Sequence, residues 1–201
     1  MSSSPSEETL YTGSWLTLKK KSLSVNNKNI KDYEYLELSA SKAHIFPNGL
    51  SVVPIITSKK TEQKQLVIIA NFRPPVSNYV LEFPGGLTEI DGGKEDAFRE
   101  LKEETGFKAK NVLHDSLKFK STYYDAWKSK ESGKMIIVEI DGDEENFEGS
   151  QELDKDEVIK VFKVGLGHGL KKEVEEIAER NGFDISDQLY TFCLGLSLKL
   201  I

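Results

Sequence analysis

The sequence predicts an α+β fold or a layered α/β/α sandwich with a mixed sheet, preceded by a small antiparallel hairpin. Two observations support this class. Strand-like segments come first, one strongly helical segment lies mid-chain, and further strand-like segments and two helices follow. The 201 residues are 38% hydrophobic and 30% charged, a mixture typical of one medium-sized globular domain with its own core.

The N-terminal region begins with a polar stretch, residues 1–9, which we expect to be a flexible tail. Two segments with strand-like alternation follow at residues 14–25 and 33–40, joined by a turn of sequence NNKN. They predict a small hairpin that stands apart from the main body. We therefore expect residues 1–45 to form one region and residues 46–201 to form the main domain.

The main domain starts with three apolar runs of the kind that form buried strands. They span residues 48–56, 65–75 and 79–86. The segment 94–105 predicts a helix, which Gly106 would end. Its apolar positions recur at helical spacing, at Ala97, Phe98 and Leu101. The remaining predicted elements are strands at 116–124, 134–140 and 157–164, a turn at 165–170, and helices at 170–183 and 185–200.

The composition argues against nucleic-acid and membrane-surface proteins, since both usually need a basic face and this chain has a formal net charge of −6. No apolar run approaches the ~18 residues of a membrane helix, and the N-terminus has no apolar signal core. We therefore expect no nucleic-acid or membrane partner, and a cytoplasmic location with the nucleus as a second possibility. Cys193 is the single cysteine, so no intrachain disulfide can form, and we expect this residue to be buried.

The predicted helix at 94–105 carries three glutamates in one sector, Glu100, Glu103 and Glu104. Like charges at this spacing destabilise a helix, and a hard divalent cation removes the repulsion. Mg²⁺ suits such a site because it prefers carboxylate oxygens and leaves positions for water and substrate phosphates. The pattern predicts a Mg²⁺ site, with Mn²⁺ as a possible substitute. The alternative is a solvated acidic helix with Lys102 as the partner of the glutamates.

Three neighbouring features favour the metal site. A tight FPGG turn before the helix can expose a backbone carbonyl to the cation. Arg99 directly precedes Glu100 and can orient a glutamate through a bidentate pair. Arg73 ends a predicted strand, where its fork of donors could clamp a phosphate.

The segment GGLTEIDGGKEDAFRELKEETGF, residues 85–107, resembles the Nudix box of the Nudix hydrolases. Its second half matches the family pattern at Arg99, Glu100, Leu101, Glu103, Glu104 and Gly106. Phe107 stands where an aliphatic residue is usual. The first half departs: counted from Gly85, Asp91 replaces a glutamate, and counted from Gly86 the segment is one residue short. This departure leaves the conformation of the turn open.

The stretches VLEFPGG, NFRPP and GLSVVPII are similar to the ADP-ribose pyrophosphatase branch of the family. That branch implies a Nudix sandwich with an N-terminal sheet that swaps across a homodimer. It implies metal binding by the Gly85 carbonyl, Glu82, Glu100, Glu103 and Glu104. It implies substrate binding by Trp15, Tyr33, Tyr35, Arg73 and Leu87, where Trp15 stacks on adenine, Tyr33 or Tyr35 faces it from the other subunit, and Arg73 binds a phosphate. It implies a catalytic set of Arg99, Glu103 and Glu157, with Glu157 or Glu103 as the general base.

The implied reaction is Mg²⁺-dependent hydrolysis of ADP-ribose or a related ADP-sugar, a small nucleoside diphosphate sugar, to AMP and a sugar phosphate. Alternatives are hydrolysis of an oxidised nucleotide or a dinucleotide, and nucleotide binding without turnover. The single residues also have structural alternatives: Trp15 as a packed strand aromatic, Glu82 as a rim carboxylate and Glu157 as a solvated acid. Where relatives carry a Pro-Gly loop after the box, this chain carries Tyr123, Tyr124 and Trp127, so sugar specificity does not carry over.

Overall fold

A computed structural model describes residues 6–39, 48–90, 92–115, 122–144 and 148–198. The strands in these ranges are β1 (Ser6–Thr12), β2 (Leu16–Val25), β3 (Lys28–Leu38), β4 (Gly49–Thr57), β5 (Lys64–Arg73), β6 (Asn78–Glu82), β7 (Asn111–Asp115), β8 (Thr122–Tyr123), β9 (Ser132–Asp141), β10 (Ile159–Gly165) and β11 (Asp184–Ile185). The helices are α1 (Lys94–Thr105), α2 (Leu170–Asn181) and α3 (Asp187–Ser197), and Pro74–Val76 forms a short 3₁₀ turn. None of the described helices is long and apolar enough to cross a bilayer.

The N-terminal sheet has three antiparallel strands in the order β1-β2-β3, not the two that the sequence predicts. The expected tail is wrong for residues 6–9, because these belong to β1. Every side chain of β1 is exposed, so its polar sequence carries no burial pattern. Backbone pairing with β2 holds it instead, and ion pairs from Lys19 to Glu7 at 3.2 Å and from Lys20 to Glu8 at 3.0 Å accompany that pairing. The predicted boundary at residues 45 and 46 lies outside the described residues.

The main sheet runs in the order β11-β6-β5-β4-β9-β7, with β10 paired to β5 and β8 paired to β9. The pairs β4–β9 and β6–β11 are parallel, and the other pairs are antiparallel. This confirms the predicted mixed sheet. Two strands were not predicted, β7 and β11, and both are short. Of the predicted strand at 116–124, residues 116–121 lie outside the described residues, and 122–123 form β8.

Helices cover both faces of the main sheet, which confirms the layered α+β class. On one face, Ala97 and Leu101 of α1 pack against Val52 and its neighbours. On the other face, α2 and α3 pack against Val53 and its neighbours, and Cys193 is fully buried there as expected. Val52 and Val53 are adjacent on β4 and serve the two cores because successive strand side chains point to opposite faces.

The ends of the helices follow local signals. Gly106 ends α1 in the left-handed conformation at φ 77°, as the sequence predicts. The last helix is shorter than the predicted 185–200, because the Ser186 side chain caps it by accepting a hydrogen bond from Leu189 N at 3.4 Å. Residues before Ser186 form β11 instead.

The main sheet forks between β4 and β5, and this fork positions the candidate site. The two strands pair at Ile55–Thr57 and 64–66. Toward the other end of β4, the chain that follows β6 takes the place of β5. There Val52 N donates to Pro84 O at 2.7 Å and Leu50 N donates to Gly86 O at 2.9 Å. The FPGG turn therefore lies inside the sheet, directly below the glutamates of α1.

Candidate functional site

A cleft of about 930 Å³ opens over the fork. Its wall includes all but two of the twelve residues to which the resemblance assigns a metal-binding, substrate-binding or catalytic role: Trp15, Arg73, Glu82, Gly85, Leu87, Arg99, Glu100, Glu103, Glu104 and Glu157. Several polar residues that the sequence did not single out also line it, among them Ser51, Asn71 and Gln188. Residues that lie as far apart in the chain as Trp15 and Gln188 thus meet at one concave surface.

The glycine turn is pressed against β4 and α1 so closely that side chains would not fit. A Cβ atom built on Gly85, whose φ is 153°, would lie 2.2 Å from Leu50 O. A Cβ atom built on Gly86 would lie 2.6 Å from Glu100 Oε1. The Gly85 N–H donates to Glu104 Oε2 at 2.7 Å. Two glycines are therefore required for the carboxylates of α1 to reach the backbone of the turn.

Glu100 and Glu104 are buried carboxyl groups with strongly shifted titration. Burial raises the pKa of Glu104 to about 9, although the Gly85 N–H opposes the shift. Burial also raises the pKa of Glu100 to about 7, against the neighbouring Arg99 guanidinium. The charge of Glu157 raises both pKa values further, which shows that Glu157 lies near the pair. Without a cation, these groups hold protons at a pH where exposed glutamates have lost them.

Arg99 spans several acceptors and does not form the bidentate pair that we predicted. Its Nη1 donates to Glu103 Oε2 at 2.8 Å, and its Nη2 donates to Glu100 Oε1 at 2.8 Å. The same Nη2 lies 3.2 Å from Leu87 O and 3.1 Å from Asp96 Oδ1. One guanidinium thus fixes two glutamates and ties them to the loop before α1. The alternative partner Lys102 pairs instead with Glu152, at 2.7 Å.

Asp96 is an organising residue that sequence reasoning missed. Its side chain is fully buried and accepts hydrogen bonds from Glu89 N at 3.0 Å, Ile90 N at 3.1 Å and Gly92 N at 2.8 Å. It therefore holds the turn in which the first half of the box departs from the pattern, while Asp91 itself lies outside the described residues. A signal was present, because an acid at the third helical position, after a glycine N-cap, commonly reaches back to free N–H groups.

Arg73 also lines the cleft, where it pairs with Glu82. Arg73 Nη2 lies 2.7 Å from Glu82 Oε1, although this oxygen is buried and has no aligned hydrogen bond among the described residues. Burial raises the pKa of Glu82, and the Arg73 charge opposes that shift. The Arg73 side chain is 48% exposed and faces the cleft. Its role as a phosphate clamp stays a prediction, since Glu82 is its partner in this structure.

Tyr33 and Tyr35 lie outside the cleft of their own chain. Tyr33 OH donates to Trp127 O, and Tyr35 is 8% exposed with its hydroxyl donating to Glu7 Oε1 at 2.5 Å. The same strand, β3, pairs with the loop after β8 through two backbone hydrogen bonds of 2.8 Å, Leu36 N to Lys128 O and Lys130 N to Leu36 O. A role for either tyrosine in the other subunit's cleft stays a prediction.

Tyr124 belongs to the aromatic segment that also contains Tyr123 and Trp127. It is partly exposed, but its hydroxyl is buried. The residue is 43% exposed and lines the cleft, yet burial raises the pKa of its hydroxyl. The hydroxyl lies in a notch made by Gly49 and Gly133, which face each other across β4 and β9. A Cβ atom on Gly133 would lie 2.0 Å from that oxygen. The tyrosine is thus locked as one wall of the cleft.

Within the described residues, no three acidic, His or Cys side chains are gathered closely enough to form a ready metal site. Glu103 is held by Arg99, Glu104 by Gly85 N, and Glu82 by Arg73. The donor set nevertheless fits Mg²⁺, since it consists of carboxylate oxygens around a backbone turn. The raised pKa values of two buried glutamates, Glu100 and Glu104, are what a cation bound between them would reverse.

No family model matches the chain. Over 191 residues it is 34% identical to an uncharacterised Nudix hydrolase of Schizosaccharomyces pombe, which covers 92% of this chain and 87% of that protein. Over 147 residues it is 27% identical to an ADP-ribose pyrophosphatase of Bacillus subtilis, covering 71% and 72% of the two chains. A crystal structure of an ADP compounds hydrolase shares the fold, with a TM-score of 0.59 at 22% identity over 95% of this chain and 89% of that one.

Proposed function

The chain belongs to the Nudix hydrolases, and from that membership we propose that it hydrolyses the pyrophosphate bond of ADP-ribose or a related ADP-sugar with Mg²⁺. The products are AMP and a sugar phosphate. The observation that carries the proposal is the cleft, whose lining brings together two buried glutamates, Glu100 and Glu104, and the side chain of Arg73. The name of the Bacillus subtilis relative supports the ADP-ribose class.

Each wall of the cleft has a separate task in this proposal. Glu82, Glu100, Glu104 and the Gly85 carbonyl would hold Mg²⁺, which offsets phosphate charge and lowers the pKa of a water. Arg73 binds a phosphate by exchanging its pair with Glu82 for phosphate oxygens. The exposed ring of Trp15, 53% accessible, stacks on the adenine.

The general base takes a proton from the attacking water, and two glutamates compete for this role. Glu103 is engaged by the Arg99 cation at 2.8 Å. Glu157 has no ion-pair partner within the described part of the chain, and its Oε2 accepts from Asp154 N at 2.9 Å. We assign Glu157 as the base because, among the described residues, no Lys or Arg side chain pairs with its carboxylate, whereas Arg99 pairs with that of Glu103. The acidic limb of the pH–rate profile should therefore be lost in Glu157→Gln and retained in Glu103→Gln. The opposite result would reverse the assignment.

A substrate panel with Mg²⁺ tests the function. We expect ADP-ribose or another ADP-sugar to give AMP and a sugar phosphate, with weaker turnover of oxidised nucleotides and dinucleotides. Chromatography of the products identifies which bond breaks. Binding of nucleotides without any product would instead support a binding module, and preferred cleavage of a dinucleotide would support a different substrate class.

We expect Mg²⁺ to stabilise the protein more at about pH 8.5 than at about pH 5.5. The folded-state pKa values of Glu100, about 7, and Glu104, about 9, lie above the ordinary 4.5. Their burial therefore costs nothing below about pH 4.5, and the cost grows as pH rises toward the folded-state values. Mg²⁺ binds the charged forms and offsets that cost. The melting temperature, measured with Mg²⁺ and with a chelator at both pH values, gives this stabilisation. An equal Mg²⁺ effect at the two pH values would contradict the metal site.

We also propose a homodimer in which the N-terminal sheet contributes to the partner's cleft. The support is that this sheet exposes apolar side chains, including Leu10 at 40% and Tyr11 at 68%, and is too small to be stable alone. Light scattering should give twice the mass of one chain. The double variant Leu10→Ser, Tyr11→Ser should shift the protein toward monomer. Val158→Ser, which alters an equally exposed residue next to β10, should not. A monomeric wild type would contradict the proposal.

A further inference from the structure

Asn71 occupies a rigid and central place in the wall of the cleft. It lies in β5, where it is paired on both edges, with Ile159 of β10 and with Val80 of β6. The residue is 5% exposed and lines the cleft. Its side chain is therefore almost fully buried, and what remains accessible faces the cleft.

The side-chain amide of Asn71 has no hydrogen-bond partner in the part of the chain that the structure describes. An asparagine amide offers two N–H donors and one carbonyl acceptor. The atoms of this amide are not among the described side-chain atoms that are both fully buried and unbonded, so the amide reaches the solvent of the cleft. An unsatisfied amide at the wall of a cleft is thus a feature that a bound ligand would complete.

The neighbours of Asn71 indicate the chemistry of that ligand. Arg73 is two positions along the same strand, so both side chains lie on one face of the sheet. Glu82 lies on the neighbouring strand β6, diagonally across from Asn71, because the direct partner of Glu82 is Ile69. Glu82 is an acceptor that Arg73 already occupies at 2.7 Å. The wall therefore presents donors, a guanidinium and an amide, side by side.

We propose that Asn71 is a substrate-binding residue whose amide N–H groups donate to the phosphate that Arg73 contacts. This inference rests on the proposed function. Phosphate oxygens accept hydrogen bonds and are negatively charged, so they suit a neutral donor placed beside a cation. A neutral amide is also compatible with the buried Glu82, because it adds no further negative charge near the phosphate.

The test compares Asn71→Leu with wild type in two measurements. Leucine has a similar volume and cannot form hydrogen bonds. We expect the melting temperature of the ligand-free variant to stay close to that of wild type, because the amide makes no hydrogen bond within the described chain that leucine would remove. We expect its affinity for methylenediphosphonate, a non-hydrolysable diphosphate, to fall at least about tenfold in saturating Mg²⁺. kcat/KM for ADP-ribose should fall to a similar extent.

Two further variants sharpen the result. Asn71→Asp replaces the donor by a negative charge of the same shape and should weaken methylenediphosphonate binding more than leucine does. Asn78→Leu is the matched control, because the Asn78 amide is already bonded to Gly182 O and Asp184 Oδ2, both at 3.0 Å, outside the cleft. It should lower the melting temperature and leave diphosphate affinity unchanged.

Several outcomes would overturn the inference. If Asn71→Leu melts lower and binds methylenediphosphonate like wild type, Asn71 is a structural residue. If only the Mg²⁺ concentration for half-maximal binding changes, the amide contacts a water on the cation and not the phosphate. A wild type that binds methylenediphosphonate but cleaves no ADP-sugar would refute the proposed function alone, and the Asn71 comparison would still decide the phosphate contact.

Discussion

Glu104→Gln should lower kcat for ADP-ribose at least about 100-fold, the loss typical when one electrostatic stabiliser of a transition state is removed. Glutamine keeps the size of the side chain, and its carbonyl can still accept the hydrogen bond from Gly85 N. It cannot supply an anionic oxygen to Mg²⁺. Since the raised pKa of Glu104, about 9, reflects the cost of burying its charge, the metal-free variant should also unfold at a temperature no lower than wild type at about pH 8.

The two readouts of this variant therefore move in opposite directions, which separates lost chemistry from lost structure. Glu95→Gln is the matched control, because Glu95 is an exposed acid on the same helix. It should change neither kcat nor the Mg²⁺ dependence. Near-normal turnover of Glu104→Gln in Mg²⁺ would remove Glu104 from the metal site.

Asp96→Ala should destabilise the protein by about 3–5 kcal/mol, the range seen when one partner of a buried charged network is removed. The variant leaves the N–H groups of Glu89, Ile90 and Gly92 without their acceptor and removes one anchor of Arg99. Because Arg99 also fixes Glu100 and Glu103, kcat should fall as well.

Urea unfolding measures the stability change, and Glu95→Ala provides the comparison one position earlier in the chain. Its carboxylate is exposed, so we expect a change within about 0.5 kcal/mol. Asp96→Asn keeps the shape and part of the acceptor capacity and should lie between the two. A loss below about 1 kcal/mol for Asp96→Ala would show that the loop does not depend on this carboxylate.

The sequence predicts those parts of the site that depend on local spacing. The helix α1, its terminal Gly106 and the shared sector of Glu100 and Glu104 follow from a 3.6-residue period. The strand β1 could not be predicted, because its side chains are all exposed and the backbone pairing with β2 that holds it does not depend on which side chains it carries. A strand held in this way leaves no periodic pattern in its own sequence.

Side-chain partners were the least predictable part of the site. The sequence placed Arg99 beside Glu100, but its division among several acceptors depends on how the loop before α1 folds back. The pair between Arg73 and Glu82 depends on the register of β5 with β6, which five consecutive Cα pairings set. The sequence did not indicate Asn71 as a site residue, because its place in the cleft wall and its lack of a side-chain partner depend on the pairing of β5 with β6 and β10.

The backbone pairing of β3 with the loop after β8 has a consequence for how fast the cleft can open. Leu36 is bonded on both sides, to Lys128 and Lys130, and Lys130 Nζ also lies 2.9 Å from Glu37. The loop that carries Tyr124 cannot swing outward without breaking these contacts or carrying the small sheet with it. Opening of this wall is thereby linked to amides on the small sheet and its neighbouring loop, and hydrogen exchange at Leu36 and Lys130 would measure how readily it opens.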